Sequence, residues 1–180
     1  MFKTFIVFIF LTSLIACSSL KEAGVVYHDS FDFSSVKSYS LYDRNSAFSE
    51  TQNLSDNRRN AIEIAIERTM AQQKFGYETV ENADVIVTYH VVNGKRGDYT
   101  KYNKVVRFCT VCLQSTTWKT EQKYSDISRG NLVVDLVDPK KNRSVWRSVY
   151  PLDLEIEENS ADTNDKIKKA ITAMLAKYPR

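Results

Sequence analysis

The sequence predicts an α+β fold, a mainly antiparallel sheet with two helices packed on one face. Three observations lead there. Strand-like segments outnumber helical ones, they cluster between two stretches of helical periodicity, and two of the strongest are joined by a turn containing Pro and Asn. The chain has 180 residues, 43% hydrophobic and 26% charged, enough for one domain with a substantial core, and no internal repeat divides it.

The chain opens with Lys3 and the apolar run Phe5-Ile6-Val7-Phe8-Ile9-Phe10-Leu11, then Thr12-Ser13 and Leu14-Ile15-Ala16 ahead of Cys17. A basic residue, an apolar stretch and a small residue at its end form the layout of an export signal. A helix crossing the ~30 Å hydrocarbon core needs about 20 residues, so this shorter run reads as a removable leader rather than a permanent span. Leu14-Ile15-Ala16-Cys17 resembles a bacterial lipobox, whose cysteine sulfur takes diacylglycerol and becomes the first residue of the mature chain. The expectation is therefore a lipoprotein signal peptide over residues 1–16 and lipidation at Cys17. An ordinary cleaved leader, with Cys17 as a chance small residue, is the plainer alternative.

Each buried methylene contributes ~0.8 kcal/mol, so acyl chains such as palmitate would hold the body on a bilayer as its membrane-lipid partner. Ser18 rather than Asp after the cysteine points to the periplasmic face of the outer membrane. Residues 17–24 then form the lipidated cysteine and a small, polar tether, and residues 25–180 a single periplasmic domain. Lys and Arg total 25 against 22 Asp and Glu; without Lys3 the balance is 24 against 22, scattered along the chain, which leaves no nucleic-acid footprint.

Within the domain, Val25-Val26-Tyr27 and Val36–Tyr42 read as strands, with a turn over Asp29–Ser35. A helix starts at Ser55 or Asp56, either of which caps free amides, and runs to Lys74. Ile62, Ala65, Ile66, Thr69, Met70 and Gln73 recur at spacings of three and four on its core face, with Arg58, Arg59, Glu63, Glu67 and Arg68 elsewhere and Gly76 as a left-handed stop. Val85–Val92 has the length and β-branched content of a central strand. Lys95–Thr100 is polar, and weaker strands are expected at Tyr102–Phe108 and Thr116–Gln122.

The clearest hairpin is Asn131–Val137, the turn Asp138-Pro139-Lys140-Lys141-Asn142, and Ser144–Tyr150, with Pro151 holding Tyr150 extended. A last helix runs from Thr163 to Tyr178 on the stripe Ile167, Ala170, Ile171, Met174, Leu175 and Tyr178.

Several of these segments carry a resemblance: Asp29 with Phe31-Asp32-Phe33-Ser34, Gly76-Tyr77, Ala83-Asp84 leading to Tyr89-His90, Gly130 through Asp138-Pro139, Val145-Trp146-Arg147, and Tyr178-Pro179. In this order, from Val26 to Pro179, they resemble the bacterial lipoprotein family catalogued as domain of unknown function 4136. The resemblance implies a periplasm-facing α+β domain on a lipid tether, and it carries over no catalytic residue and no cofactor. Ser148 departs from it where a Gly is expected, and the segment 94–125 departs by holding two cysteines.

Those cysteines form the motif with most chemical promise, Cys109-Thr110-Val111-Cys112. In an oxidising compartment such a pair supports a structural disulfide, two reduced or partner-linked thiols, or a redox centre. A straight strand would set the two about 10 Å apart, beyond disulfide reach, so a bond requires a turn at Thr110-Val111. A thioredoxin-like centre places its first cysteine at a helix start, and Leu113–Trp118 lacks a helical pattern.

Other candidates are plainer. Structural zinc needs four N or S ligands; besides Cys109 and Cys112 only His28, in a turn, and His90, in a strand, remain, so no metal site is expected. Asp135 and Asp138 suggest paired carboxylates, but strand alternation separates them, leaving a solvent-facing Asp135 and a turn-initiating Asp138. Trp118, Trp146 and ten tyrosines would suit either a peptide or glycan surface or sheet packing. Two functions follow as expectations: a membrane-anchored, non-catalytic envelope module that docks an envelope protein or cell-wall component, or a periplasmic thiol-disulfide protein or redox sensor using Cys109 and Cys112.

Overall fold

Strand β1 (Gly24–His28) leads through a 3-10 turn at Phe33–Ser35 into β2 (Ser38–Leu41), a short helix α1 (Ala47–Glu50) and the long helix α2 (Asp56–Gln72). Then come β3 (Gly76–Tyr77), β4 (Val85–Val91), α3 (Arg96–Val105), a 3-10 turn at Val111–Gln114 and β5 (Trp118–Glu121). The hairpin β6 (Asn131–Asp138) and β7 (Arg143–Pro151) precedes the last helix, α4 (Ser160–Leu175). This computed structural model describes residues 21–52, 54–92, 96–121, 127–154 and 160–180, so the leader and Cys17 lie outside the described residues.

The fold is α+β, and its seven strands form one sheet in the order β3-β2-β4-β6-β7-β1-β5. That sheet is mixed rather than mainly antiparallel: β2 runs parallel to both β3 and β4, and the remaining pairings are antiparallel. The reason lies in α2. A helix between two strands works as a crossover and returns the chain to run beside its starting strand in the same direction. Helices counted only as a covering layer hide that consequence.

The two expected helices do share a face. Ile62, Ile66 and Met70 of α2 and Ile167, Ile171 and Met174 of α4 pack in one cluster with Val85, Val87 and Tyr89 of β4 and Val134 and Leu136 of β6. The opposite face is covered too, by α3. Tyr102 and the following Val106 and Phe108 pack there against Val26, Val133, Val137 and Val149, which point the other way from their strand neighbours. Tyr102–Phe108 is thus not a strand but the end of a helix and the turn after it.

The stop of α2 also differs from expectation. Phe75 N–H donates to Met70 O and Lys74 N–H to Ala71 O, both at 3.0 Å, the paired bonds of a Schellman ending. Its left-handed position is occupied by Lys74 (φ 69°), while Gly76 has entered β3 opposite Ser38.

Candidate functional site

Across β4, β6 and β7 on the α3 face, Thr88, Asp135 and Arg147 occupy one row of the sheet register. Asp135 and Arg147 are fully buried, which overturns a solvent-facing Asp135. Arg147 Nε lies 2.9 Å from Asp135 Oδ1 and its Nη2 lies 3.0 Å from Oδ2, a two-pronged ion pair that leaves Nη1 for Tyr99 OH (2.9 Å) and Asn103 Oδ1 (2.7 Å). Ser144 Oγ donates to Oδ1 of the same carboxylate (2.5 Å) and Tyr102 OH to Oδ2 (2.7 Å). Phe108 closes the top, its ring centre 3.5 Å from the guanidinium carbon.

A β-bulge makes this pairing. The register slips between Leu136 and Val137, so Val145 is the extra residue of β7 and Arg147 comes opposite Asp135. The α3 side of the cluster comes from Tyr99, Tyr102, Asn103 and Val106, at the spacing of one helical face. That periodicity was legible in the sequence, but its polar and aromatic members do not register in a search for apolar stripes.

His90 belongs to the same cluster. Its ring stacks on Tyr102 with centres 4.8 Å apart, it is 1% exposed, and among the described residues neither ring nitrogen has a hydrogen-bond partner. Burial first, and the Arg147 charge second, push its pKa down to about 4. Burial and the Asp135 charge hold the Tyr102 phenol well above its ordinary range. The chemical consequence is a sealed polar core: a carboxyl group with both oxygens engaged, a neutral imidazole and the un-ionised Tyr102 phenol. It fixes α3 to the sheet and presents no carboxylate or base to a solvent-borne substrate.

The other face has a smaller polar network. Tyr42 OH donates to Tyr89 OH (2.9 Å), Tyr89 OH to Glu63 Oε1 (2.7 Å), and Arg59 Nη1 to Tyr42 OH (2.5 Å). Arg59 and Glu63, expected away from the core face of α2, are therefore buried under it, and Arg44 pairs with Glu63 from outside.

The remaining candidates fall elsewhere. Asp138 does initiate the turn, accepting from the amides of Lys140 (2.8 Å) and Lys141 (3.3 Å). Trp118 and Trp146 are buried in the two core clusters rather than forming a surface. His28 is the last residue of β1 rather than part of a turn; its Nδ1 lies 2.9 Å from Ser30 Oγ, and burial and Arg143 lower its pKa. No group of three or more His, Cys, Asp or Glu side chains gathers at metal-binding distance among the described residues. Cys109 and Cys112 are joined by a disulfide with Cα atoms 5.2 Å apart, on the turn that such a bond requires.

The model of the domain of unknown function DUF4136 matches residues 24–180. The chain belongs to the DUF4136 family. Among solved structures it is similar to a DUF4136 family protein from Bacteroides thetaiotaomicron, at a TM-score of 0.52 and 10% identity over 84% of this chain and 94% of that one. Weaker likenesses are to the PelC dodecamer of Paraburkholderia phytofirmans (TM-score 0.43, 6% identity, 89% and 100% covered) and to a PDZ domain protein of Parabacteroides distasonis (0.46, 14%, 88% and 36%). No curated protein matches.

The residues that carried the DUF4136 resemblance hold the fold. Asp32 accepts from Ser34 Oγ–H (2.6 Å) and Ser34 N–H (3.1 Å), and Asp84 from the amides of Lys37 and Ser38 (both 2.9 Å), bonds that keep both carboxyls below the usual range. Tyr178 OH donates to Phe33 O (2.7 Å), Gly130 takes φ +87°, and Arg147 anchors the sealed cluster.

Proposed function

We propose that this DUF4136 chain is a membrane-anchored envelope lipoprotein whose domain is a non-catalytic binding or accessory module, held by acyl chains on Cys17 at the periplasmic face of the outer membrane. The observation that carries the reading is the placement of Leu14-Ile15-Ala16-Cys17 at the end of the apolar run, with β1 beginning at Gly24. Residues 18–23 span at most about 20 Å when fully extended, so the lipid would hold the domain beside the bilayer.

Such a tether also orients the body. Gly24 pairs with Val149, at the sheet end where β6 starts and β7 finishes. The opposite end, where β2 starts and α2 and α4 finish, would face away from the membrane. There Phe33, Lys37, Lys74, Phe75 and Tyr178 line an open cavity of about 600 Å³, which supplies the surface for an envelope protein or cell-wall partner.

The test is metabolic labelling of cells making the full chain with an alkyne palmitate, with mass spectrometry of the mature amino end. Acylated Cys17 as first residue is expected, with the label lost in Cys17→Ala. An unmodified amino end or an uncut leader overturns the anchor. A Cys17→Ala strain that keeps every envelope phenotype of its parent overturns the location-dependent partner.

A further inference from the structure

Cys109 and Cys112 close a loop that the backbone already closes. Cys112 N–H donates to Cys109 O (3.2 Å), Leu113 N–H to Thr110 O (3.4 Å) and Ser115 N–H to Cys112 O (2.9 Å). Cross-links stabilise by restricting the unfolded chain, and the gain grows with loop length, so a bond between residues three apart is near the bottom of that scale and ties no two elements together. As a staple it is redundant.

Its surroundings suit exchange. Cys112 N–H also points at Cys109 Sγ (3.2 Å), a donor placed to stabilise a thiolate there. Cys109 lines an open cavity of about 440 Å³ together with Lys104 and Arg107, two cations, and Arg107 is held in the left-handed region (φ 49°). Cys112 packs instead against the second core cluster. Between them Val111 is 79% exposed, an apolar side chain offered to a partner at the tip of the turn.

We infer that Cys109–Cys112 is an exchange-competent disulfide that oxidises a dithiol on a partner protein docking at the Lys104–Arg107 cavity. A partner thiolate attacks Cys109 Sγ; a partner–Cys109 bond forms, the Cys109–Cys112 bond breaks, and its electron pair leaves on Cys112 Sγ, which takes a proton. The partner's second thiolate then attacks its own sulfur in the mixed disulfide, and Cys109 leaves as a thiolate facing Cys112 N–H, in the cavity that Lys104 and Arg107 line. The partner dithiol loses two electrons to become a disulfide, and the cysteine pair gains them. This inference is independent of the anchoring at Cys17.

The experiment uses the full chain in detergent with dithiothreitol as the dithiol probe and maleimide trapping of free thiols. Reduction should leave the thermal midpoint within about 2 °C of the oxidised chain; a drop beyond that makes the bond a staple and overturns the proposal. Arg107→Ala should slow reduction by about 3- to 10-fold through loss of a cation from the cavity that Cys109 lines. In Cys112→Ser, iodoacetamide should alkylate Cys109 with a pH midpoint below the ~8.5 of an ordinary thiol, rising in the Arg107→Ala background. A midpoint at or above that value, or a faster reaction at Cys112 in Cys109→Ser, sinks the assignment. The reduced wild-type chain keeps the test decisive if a cysteine variant fails to fold.

Discussion

Asp135 and Arg147 face each other on neighbouring strands, both fully buried, because the bulge at Leu136/Val137 advances β7 by one residue. Without that residue Asp135 would oppose Trp146. The pair binds Tyr102, Ser144, Tyr99 and Asn103, so it joins α3 to β6 and β7. Removing one partner strands the other charge away from water, which typically destabilises by about 3–5 kcal/mol, whereas replacing both by apolar groups is often neutral. Asp135→Asn and Arg147→Met should each lower the unfolding free energy read from a urea titration by such an amount. The double variant Asp135→Leu with Arg147→Met should recover most of it, and a double variant as weak as the singles contradicts the account.

The legibility of this cluster in the sequence was partial, for a physical reason. Asp135 stood out in an apolar strand, and the hairpin that carries Arg147 was evident from Pro139 and Asn142. The bulge that matches them depends on packing across the sheet, where Val145 and Trp146 enter the same core, and strand alternation alone has no term for it. The parallel edge was hidden likewise, since β3 is two residues long and gains its register only from Ser38 and Tyr39. The central strand β4, both long helices and the hairpin were readable because their periods of two and 3.6 come from burial on a face.

Lys74 ends α2 at a left-handed φ of 69°, a region that disfavours residues with a Cβ. Its exposed side chain lines the open cavity, and no core contact would be lost on its removal. Lys74→Gly should therefore raise stability by about 1 kcal/mol in a urea titration. A loss of stability would show that the lysine side chain itself holds the helix end.

Tyr89 sits fully buried between Tyr42 and Glu63, accepting from one and donating to the other. Burial keeps its phenol un-ionised throughout the accessible pH range. Tyr89→Phe preserves the ring but removes one of the two acceptors within reach of Tyr42 OH, leaving Gln52 Oε1 at 3.0 Å, and leaves Glu63 short of a donor, a loss of about 1–3 kcal/mol. Glu63→Gln in the Tyr89→Phe background should be cheaper than in the parent, because a carboxylate missing one donor gains from neutralisation. Additive losses in this double-mutant cycle would refute a shared network.

His90 gives the domain a pH dependence with a definite sign. The groups facing it are Arg147 from β7, Asp135 from β6, and Asp98, Tyr99 and Tyr102 from α3. Its pKa in the folded chain is about 4, against 6.5 for an unperturbed imidazole, so the unfolded chain binds the proton more readily. Stability from this residue is fully present above pH 6.5 and is lost as pH falls toward 4, by at most about 3 kcal/mol, since one pKa unit corresponds to about 1.4 kcal/mol. His90→Phe keeps a ring against Tyr102 and has nothing to protonate. In urea titrations of the two chains from pH 7.5 to 4.5, the parent's midpoint should fall more steeply than the variant's, most of all over the lower half of that range. Parallel curves would mean that the imidazole accepts its proton in place, with α3 opening to water around it.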